Sequence, residues 1–153
     1  MAALDDDTLA AWRAFLNAHA QVTRRISRDL AAAGLPDLSW YDLLWAVYQR
    51  GEGGLRVNEL AREVVLSPTA MSRFVDRVVA AGCVRREPDP QDRRALRIVI
   101  ADDGVALLKR MWPVYAAGIE AHFAAFLGRS PAGARAMLEQ MAASAAPGPA
   151  AGS

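Results

Sequence analysis

The chain has 153 residues, of which 53% are hydrophobic, and its 18 basic and 17 acidic residues give a formal net charge of +1. This length favours a single domain with one core. No apolar run approaches the roughly 18–20 residues that a membrane span needs, and the acidic start, residues 1–7, lacks the apolar stretch of a signal peptide. The single cysteine, Cys83, cannot form an internal disulfide, as is typical of proteins from a reducing compartment. We therefore expect a cytoplasmic protein without a membrane span.

The charge is distributed unevenly along the chain. Residues 61–97 contain eight arginines against five acidic residues, a net charge of +3, whereas residues 1–60 have a net charge of −2. Contacts with phosphate need only a local positive patch, so a nucleic-acid partner is compatible with the small overall charge. A solvated surface of mixed charge would show the same numbers, and charge alone leaves both interpretations open.

The first predicted helix covers residues 7–33, ends at Gly34 and Pro36, and has acidic residues suited to its start. Its apolar stripe is longer than the core of a small chain can cover, so we expect part of it to pack against a second subunit. The stripe follows the three-and-four spacing of one helix face and contains Leu9, Trp12, Leu16, His19, Thr23, Ile26 and Leu30.

Three shorter helices are predicted next. Ser39 is expected to cap the second, with Asp42 as its capping-box partner, and Asn58 to cap the third. Ser67 is expected to cap the fourth helix, with Pro68 at its first position. The spacing predicts buried and exposed faces for this fourth helix: Met71, Phe74, Val75 and Val78 face inward, while Thr69, Ser72, Arg73, Asp76 and Arg77 face outward.

Two short strands, residues 84–87 and 95–100, follow, and the turn-rich loop 88–93 between them is too long for a two-residue hairpin. A long helix is predicted after Gly104 as far as Phe126, and another from Pro131. Residues 144–153 are Ala, Pro, Gly and Ser without periodicity, which predicts a disordered tail. The fold is thus expected to be mainly α with a small β-hairpin wing, a winged helix-turn-helix flanked by N- and C-terminal helices.

This arrangement indicates a DNA-binding protein. A helix that exposes small polar groups and arginines at its start suits the major groove of DNA. A loop with arginines at its tip suits the adjacent backbone or minor groove.

The order of elements and several motifs resemble the MarR (multiple antibiotic resistance regulator) family of transcription factors. The motifs are Leu60-Ala61, Leu66-Ser-Pro-Thr-Ala-Met-Ser-Arg73, Val75-Asp-Arg77 and the hairpin signature Asp92-Arg-Arg-Ala95. The resemblance covers residues 8–143. It implies one domain over residues 1–143, with dimerisation helices at about 8–33 and 102–143 and the winged helix-turn-helix at about 38–100.

The resemblance further implies a homodimer, which we expect in the cytoplasm and at the nucleoid when it is bound to DNA. The excess of arginine over lysine, with abundant alanine, is typical of a GC-rich bacterial genome. The family members are mostly repressors of palindromic operators, released by small aromatic or lipophilic compounds. One departure is Ala101, where the family usually has Thr. We expect Asp102 to cap the fifth helix in its place.

In the wing, Arg94 is our first candidate for a minor-groove contact, because a guanidinium stays charged and fits a narrow groove of negative potential. Arg93 is a candidate for phosphate. Asp92 cannot approach DNA favourably, so we expect it to form an ion pair with an arginine. The resemblance points to Arg77 on the fourth helix, which would be the recognition helix. Arg85, Arg86 and Arg97 are lesser candidates. A solvated charged turn is the alternative for the whole loop.

On the recognition helix, Arg73 can bind guanine through two hydrogen bonds, and Thr69 and Ser72 lie beside it. The amide groups near Ser67 can hold a phosphate at the helix N-terminus. Pro68 can contact a thymine methyl group. Simple capping by Ser67 and Pro68 is compatible with either role.

Four residues are candidates for an effector site, since the family binds small aromatic ligands between the dimer helices and the DNA-binding lobe. Aromatic walls with a few polar groups suit such ligands. Large side chains at helical spacing also form ordinary cores, and that interpretation stays open. The four candidates are Trp12, His19, Trp40 and Trp45.

Other functions have less support in the sequence. It contains no phosphate-binding glycine loop, nucleophile elbow or paired carboxylates in a polar setting, so we expect neither an enzyme nor a cofactor. His19 and His122 have no neighbouring ligands at metal-binding spacing, and no metal is expected. Two alternatives remain. One is a helical dimer that binds a protein partner without operator specificity, which predicts a hairpin without clustered arginines, in contrast to the hairpin of this chain. The other is a redox sensor of the same fold that uses Cys83, whose simpler role is a small buried side chain.

Overall fold

The computed structural model describes residues 4–64, 68–92, 94–128 and 130–145. Short 3₁₀ turns at Gly51–Gly53 and Ala124–Phe126 follow the second and fifth helices. The fold confirms the predicted mainly α class with a hairpin wing. In chain order the elements are α1 (Asp6–Ala32), α2 (Leu38–Arg50), β1 (Leu55–Arg56), α3 (Val57–Glu63), α4 (Pro68–Ala80), β2 (Val84–Pro88), β3 (Leu96–Ile100), α5 (Asp102–His122) and α6 (Pro131–Ala145).

The starts of α1 and α2 are both fixed by an aspartate. At α1 the Asp5 carboxylate accepts a hydrogen bond from the Thr8 backbone N–H, 2.8 Å away. At α2 the predicted cap, Ser39, is wrong, because Asp37 occupies the capping position and its carboxylate accepts from the Ser39 backbone N–H at 2.9 Å. The Ser39 hydroxyl also donates to Asp37, so the stronger acceptor has taken the cap. The predicted capping-box role of Asp42 is therefore wrong as well.

Neither α3 nor α5 begins at the residue expected from the sequence. Arg56, not Asn58, is the capping residue of α3, and its backbone N–H donates to the Glu59 carboxylate at 2.7 Å. Ala101, not Asp102, precedes α5, with no side-chain hydrogen bond at the cap. Asp102 lies in the first turn, where an acidic side chain interacts favourably with the helix dipole without capping it.

The sheet contains a third strand that the sequence analysis did not predict. The two-residue strand β1 pairs antiparallel with β3, and β3 pairs antiparallel with β2, so the order is β1-β3-β2. Leu55 faces Ile98 in the register, and both side chains are buried. Because β1 directly precedes α3, this pairing joins the hairpin to the start of the helix-turn-helix.

The predicted inward face of α4 is confirmed. Met71, Phe74, Val75 and Val78 are all buried. They belong to a hydrophobic core shared by α2, α3 and the sheet, to which the other elements contribute Leu43, Leu44, Val47, Leu55, Leu60 and Ile98. The recognition helix is therefore held on a rigid base, since a tightly packed interior resists displacement.

The outer helices are α1, α5 and α6, and α1 is packed over only part of its length. Of the predicted α1 stripe, Ile26 and Leu30 are buried, whereas Trp12 is 51% exposed and Leu16 is 48% exposed. Ile26 packs closely against α5, because a Cβ atom at Gly118 would lie 2.7 Å from its Cγ1 atom. The apolar side chains in the N-terminal half of α1 therefore lie on the surface when only one chain is considered.

The C-terminal region differs from its prediction in two places. The fifth helix ends at His122, so the prediction that it continues to Phe126 is wrong, and a 3₁₀ turn follows at Ala124–Phe126. The last helix continues through Ala145, two residues into the predicted tail. Residues 146–153 of that tail lie outside the described residues. Among the described helices, none is both long enough and apolar enough to cross a membrane.

Candidate nucleic-acid interface

The outer face of α4 carries the side chains predicted to meet DNA. Thr69, Ser72, Arg73 and Arg77 are all exposed, on the side opposite the buried core residues. Pro68 is the first residue of the helix, as predicted. Two further candidates, Ser67 and Arg93, lie outside the described residues.

Arg77 is anchored by an aromatic ring. The centre of its guanidinium group lies 5.0 Å from the centroid of the Phe74 ring, a cation–π contact. The Phe74 ring in turn meets Trp40 edge-on, with 6.0 Å between the centroids. Trp40 is thus part of the packing behind the recognition helix.

The wing turn is organised by Asp92. Its carboxylate accepts a hydrogen bond from the Arg94 backbone N–H at 3.0 Å, and its carbonyl accepts from the Ala95 N–H at 2.9 Å. Both bonds leave the Arg94 side chain exposed at the wing. Among the ion pairs of the described residues, none joins Asp92 to Arg77, so Asp92 shapes the turn through the backbone.

The arginines of strand β2 have carboxylate partners. Arg86 donates to Asp76 of α4 at 2.5 Å, which ties the strand to the recognition helix. Arg85 donates to Glu87 at 2.5 Å and to the Ile100 carbonyl at 3.1 Å. In the described part of the chain, Arg73 and Arg94 take part in no such ion pair. These two arginines therefore offer guanidinium groups without a carboxylate partner among the described residues, one on α4 and one in the wing turn.

A buried carboxylate that the sequence analysis did not single out lies where the wing begins. The side chain of Asp89 is 1% exposed, and two arginines surround it. Arg97 of β3 reaches both carboxylate oxygens, with its Nε 3.1 Å from Oδ2 and its Nη2 3.2 Å from Oδ1. Arg56, the capping residue of α3, donates from Nε to Oδ2 at 2.7 Å.

Three more hydrogen bonds complete this cluster. The Gln91 backbone N–H donates to Asp89 Oδ1 at 2.8 Å, and the Asp89 N–H donates to the Ala95 carbonyl at 3.0 Å. Arg97 also donates to the Gly53 carbonyl at 2.7 Å. Hydrogen bonds from Arg97 and Arg56 hold the pKa of the Asp89 carboxyl far below its usual value, so the group is charged throughout the physiological range.

The sequence held one signal for this cluster. Asp89 lies between Pro88 and Pro90, in a loop next to a strand that carries Arg97. A charged residue at a turn is usually solvated, however, and nothing local shows that Arg56, 33 residues earlier, reaches the same carboxylate.

The four predicted effector residues do not meet at one place within the described chain. Trp12 stacks on Phe15 along the projecting half of α1, with 5.9 Å between the ring centroids. His19 lines a wide groove of about 760 Å³ between α1 and α2, and Trp40 packs behind α4. Trp45 faces a second, smaller and more apolar groove.

That groove lies between α2 and α5 and has a volume of about 320 Å³. Behind it, Tyr41 stacks on Trp45 and on Trp112, each with 6.2 Å between ring centroids. One basic residue contributes to its wall, the single lysine of the chain. The lining residues are Trp45, Tyr48, Val105, Leu108, Lys109 and Trp112.

Cys83 is 6% exposed and packs in the hydrophobic core at the end of α4. Burial and the nearby Asp103 carboxylate raise the pKa of its thiol, which lowers the fraction of reactive thiolate. This environment is that of a structural cysteine. The described residues contain no group of three or more His, Cys, Asp or Glu side chains that could hold a metal ion.

Comparisons with known proteins agree with this geometry. A model of the MarR family matches residues 33–95. An uncharacterized HTH-type transcriptional regulator of Bacillus subtilis, YcgE, is 38% identical over 77 residues, which is 50% of this chain. The matched segment spans half the length of that relative.

Two solved structures from Streptomyces coelicolor share the fold over nearly the whole chain. AbsC, a MarR family transcriptional regulator, is 27% identical with a TM-score of 0.77, and the match covers 92% of this chain and 93% of AbsC. Sco3205, a MarR family transcriptional regulator in complex with DNA, is 24% identical with a TM-score of 0.86. That match covers 100% of this chain and 97% of Sco3205.

Proposed function

This chain belongs to the MarR family of transcriptional regulators, and we propose that it binds double-stranded DNA in a sequence-specific manner as a homodimer. One observation carries the proposal. Arg73 on the recognition helix and Arg94 on the wing are both exposed and outside the ion pairs of the described residues, whereas Arg56, Arg86 and Arg97 are held by carboxylates. The Sco3205 structure with DNA supports the same use of the fold.

In this function α4 enters the major groove and the wing reaches the flanking minor groove. Arg73 reads guanine, while Thr69 and Ser72 make shorter polar contacts beside it. Arg94 enters the narrow groove, where the potential is most negative. Asp92 stays away from the phosphates because its carboxylate is an anion, and its Oδ1 atom accepts the Arg94 N–H within the turn. Ser67, Pro68 and Arg93 complete the proposed contact set.

The second subunit is proposed to cover the bare apolar side chains of the outer helices. Trp12, Phe15 and Leu16 on α1 are exposed, as are Phe126 after α5 and Met137 on α6. Surfaces of this kind are rare on monomers and mark interaction sites. A symmetric dimer carries two recognition helices, and an operator with matching two-fold symmetry follows from that geometry.

We propose that the protein is a repressor and that an aromatic effector releases it from DNA. The groove between α2 and α5 has tryptophan walls and a single ammonium group from Lys109, which suits a planar aromatic compound with an anionic substituent. Because α2 belongs to the DNA-binding lobe and α5 to the outer helices, a ligand between them can change their relative position.

Selection from a random duplex library, followed by fluorescence anisotropy titrations on the selected site, tests the DNA-binding proposal. We expect Arg73→Ala to lose about 1–3 kcal/mol of discrimination at one base pair. Arg94→Ala should weaken binding to all sequences and reduce the salt slope by about 1. The matched control is Arg28→Ala, which removes the same charge from an exposed position on α1 and should leave both quantities unchanged.

Three results would contradict the DNA-binding proposal. They are a wild-type protein that ignores every duplex at low ionic strength, selected sequences without a common motif, or equal losses in all three variants. In the same assay, a panel of planar aromatic acids should release the duplex and quench tryptophan emission. A panel that does neither contradicts the effector proposal alone.

A further inference from the structure

The Asp89 cluster joins parts of the chain that are distant in sequence. Its carboxylate is the point at which the wing loop, strand β3 and the start of α3 meet, through Gln91, Arg97 and Arg56. Asp89 is buried, and its oxygens already accept hydrogen bonds from these three residues. It therefore has no free face to offer to DNA.

The route from this carboxylate to the recognition helix is short. Arg56 is the capping residue of α3, and its side chain leaves the helix end to reach Asp89. The buried residues Leu60 and Ala61 of α3 lie in the same core as Met71 and Phe74 of α4. If the base of the wing, around Asp89, moves relative to Arg56, it therefore also moves relative to α3 and α4.

The charges explain why this residue has to be an anion. Asp89 lies between two guanidinium groups, so the cluster has a net charge of +1 with the carboxylate and +2 without it. An amide in its place keeps the shape but cannot neutralise either arginine. The Glu59 and Asp92 carboxylates also act on Arg56, but none of the hydrogen bonds of the described residues joins them to its guanidinium group. Without the Asp89 charge the two arginines repel each other more strongly and are expected to separate, which releases the base of the wing, around Asp89, from α3.

We propose that Asp89 is a positioning residue for DNA recognition, which fixes the wing relative to the recognition helix so that Arg94 and Arg73 reach adjacent grooves together. It acts through Arg56 and Arg97 and touches no nucleotide. This role rests on the proposed DNA-binding function. The effect of its loss should be confined to the contacts that the wing makes.

The test compares Asp89→Asn with the wild type on two duplexes. One contains the selected site with its flanks, and the other ends at the two major-groove half-sites, so the wings have no minor groove to enter. We expect Asp89→Asn to bind the long duplex roughly tenfold more weakly, as for the loss of one groove contact, and the short duplex with wild-type affinity. The matched control, Glu63→Gln, removes a carboxylate from an exposed pair with Arg50 and changes the net charge equally.

A double variant sharpens the assignment. Because Asp89 is proposed to act through the position of Arg94, adding Asp89→Asn to Arg94→Ala should cause little further loss on the long duplex. Additive losses, an equal loss on both duplexes, or no loss on either would overturn the proposal. If Asp89→Asn fails to fold, Arg56→Met removes only one arm of the cluster and is expected to give the same pattern.

Amide hydrogen exchange provides a readout that does not depend on DNA. In Asp89→Asn the peptide that covers residues 88–96 should exchange faster, while a peptide within α4 should be unchanged. If the wild type binds no duplex, the proposed function fails. The exchange measurement then decides separately whether Asp89 holds the wing, and unchanged exchange in residues 88–96 contradicts the inference.

Discussion

The DNA-binding lobe (α2 to β3) and the outer helices (α1, α5 and α6) differ in how completely their apolar side chains are buried. In the lobe, Leu44, Val47 and Val75 are completely buried. On the outer helices, Trp12 is 51% exposed and Phe126 is 81% exposed. The lobe thus has a closed core, although Trp45, Tyr48 and Leu96 remain exposed on its surface, whereas the most exposed large apolar side chains among the described residues lie on or beside the outer helices.

Helix α1 shows this contrast within one element. Its C-terminal half packs against α5 through Ile26, and Leu30 is fully buried, while Trp12 and Leu16 continue the same stripe onto a bare surface. An amphipathic pattern therefore indicates that a helix face will be covered, without indicating which chain covers it. Substitutions at matched pairs of residues test that contrast.

The largest effect is expected for Leu30→Ala compared with Leu16→Ala, on the same face of α1. Leu30→Ala should lower the free energy of unfolding by about 2–5 kcal/mol, because it leaves a cavity in a closed core. Leu16→Ala should change the stability of the single chain by less than about 0.5 kcal/mol and weaken self-association. Chemical denaturation at several protein concentrations and sedimentation equilibrium measure the two effects. If the two variants lost the same unfolding free energy at every protein concentration, the contrast between the buried and exposed halves of α1 would be wrong.

A smaller effect is expected for Gly104→Ala, at the start of α5 where it meets the sheet, compared with Gly53→Ala, in the 3₁₀ turn after α2. A Cβ atom at Gly104 would lie 2.1 Å from the Cys83 carbonyl oxygen, whereas a Cβ atom at Gly53 would meet nothing within 4 Å. We expect Gly104→Ala to cost about 1–3 kcal/mol, because the start of α5 must move away from the sheet. Thermal unfolding of both variants measures this cost. If Gly104→Ala leaves the stability unchanged, the start of α5 can move away from the sheet at little cost in free energy.

The smallest effect is expected for Asp37→Ala compared with Ser39→Ala, at the start of α2. Asp37 accepts the Ser39 backbone N–H, so its loss should cost about 1 kcal/mol of unfolding free energy. Ser39→Ala removes a hydroxyl that only donates to Asp37, and we expect less than half of that loss. Urea denaturation of both variants decides the order. If Ser39→Ala were the more damaging change, the assignment of the cap would be wrong.

Helix periodicity supports the most reliable predictions from this sequence. The inward and outward faces of α4 follow from the 3.6-residue repeat, which depends only on neighbouring residues, and the structure confirms both. Helix starts were less predictable. Asp37 and Ser39 both have side chains that can cap, and the choice depends on the backbone conformation before the helix, which the sequence does not display.

The wing shows the limit of sequence analysis most clearly. The loop was predicted from its turn residues, and Arg94 from the motif around it. The buried carboxylate of Asp89 at the base of the wing was not predicted. Its two partners, Arg56 and Arg97, come close to it only in the folded chain. Strand β1 was missed for a related reason, because two residues form a strand only when β3 lies beside them.

The sequence by itself determined the order of helices and strands and the two faces of the recognition helix, because hydrophobic periodicity and turn residues act over a few positions. Only the tertiary structure decided which arginines are neutralised and which remain open. Arg56, Arg86 and Arg97 are held by carboxylates that lie 8 to 33 residues away along the chain. Ion pairs over such separations form only after the core has brought their elements together.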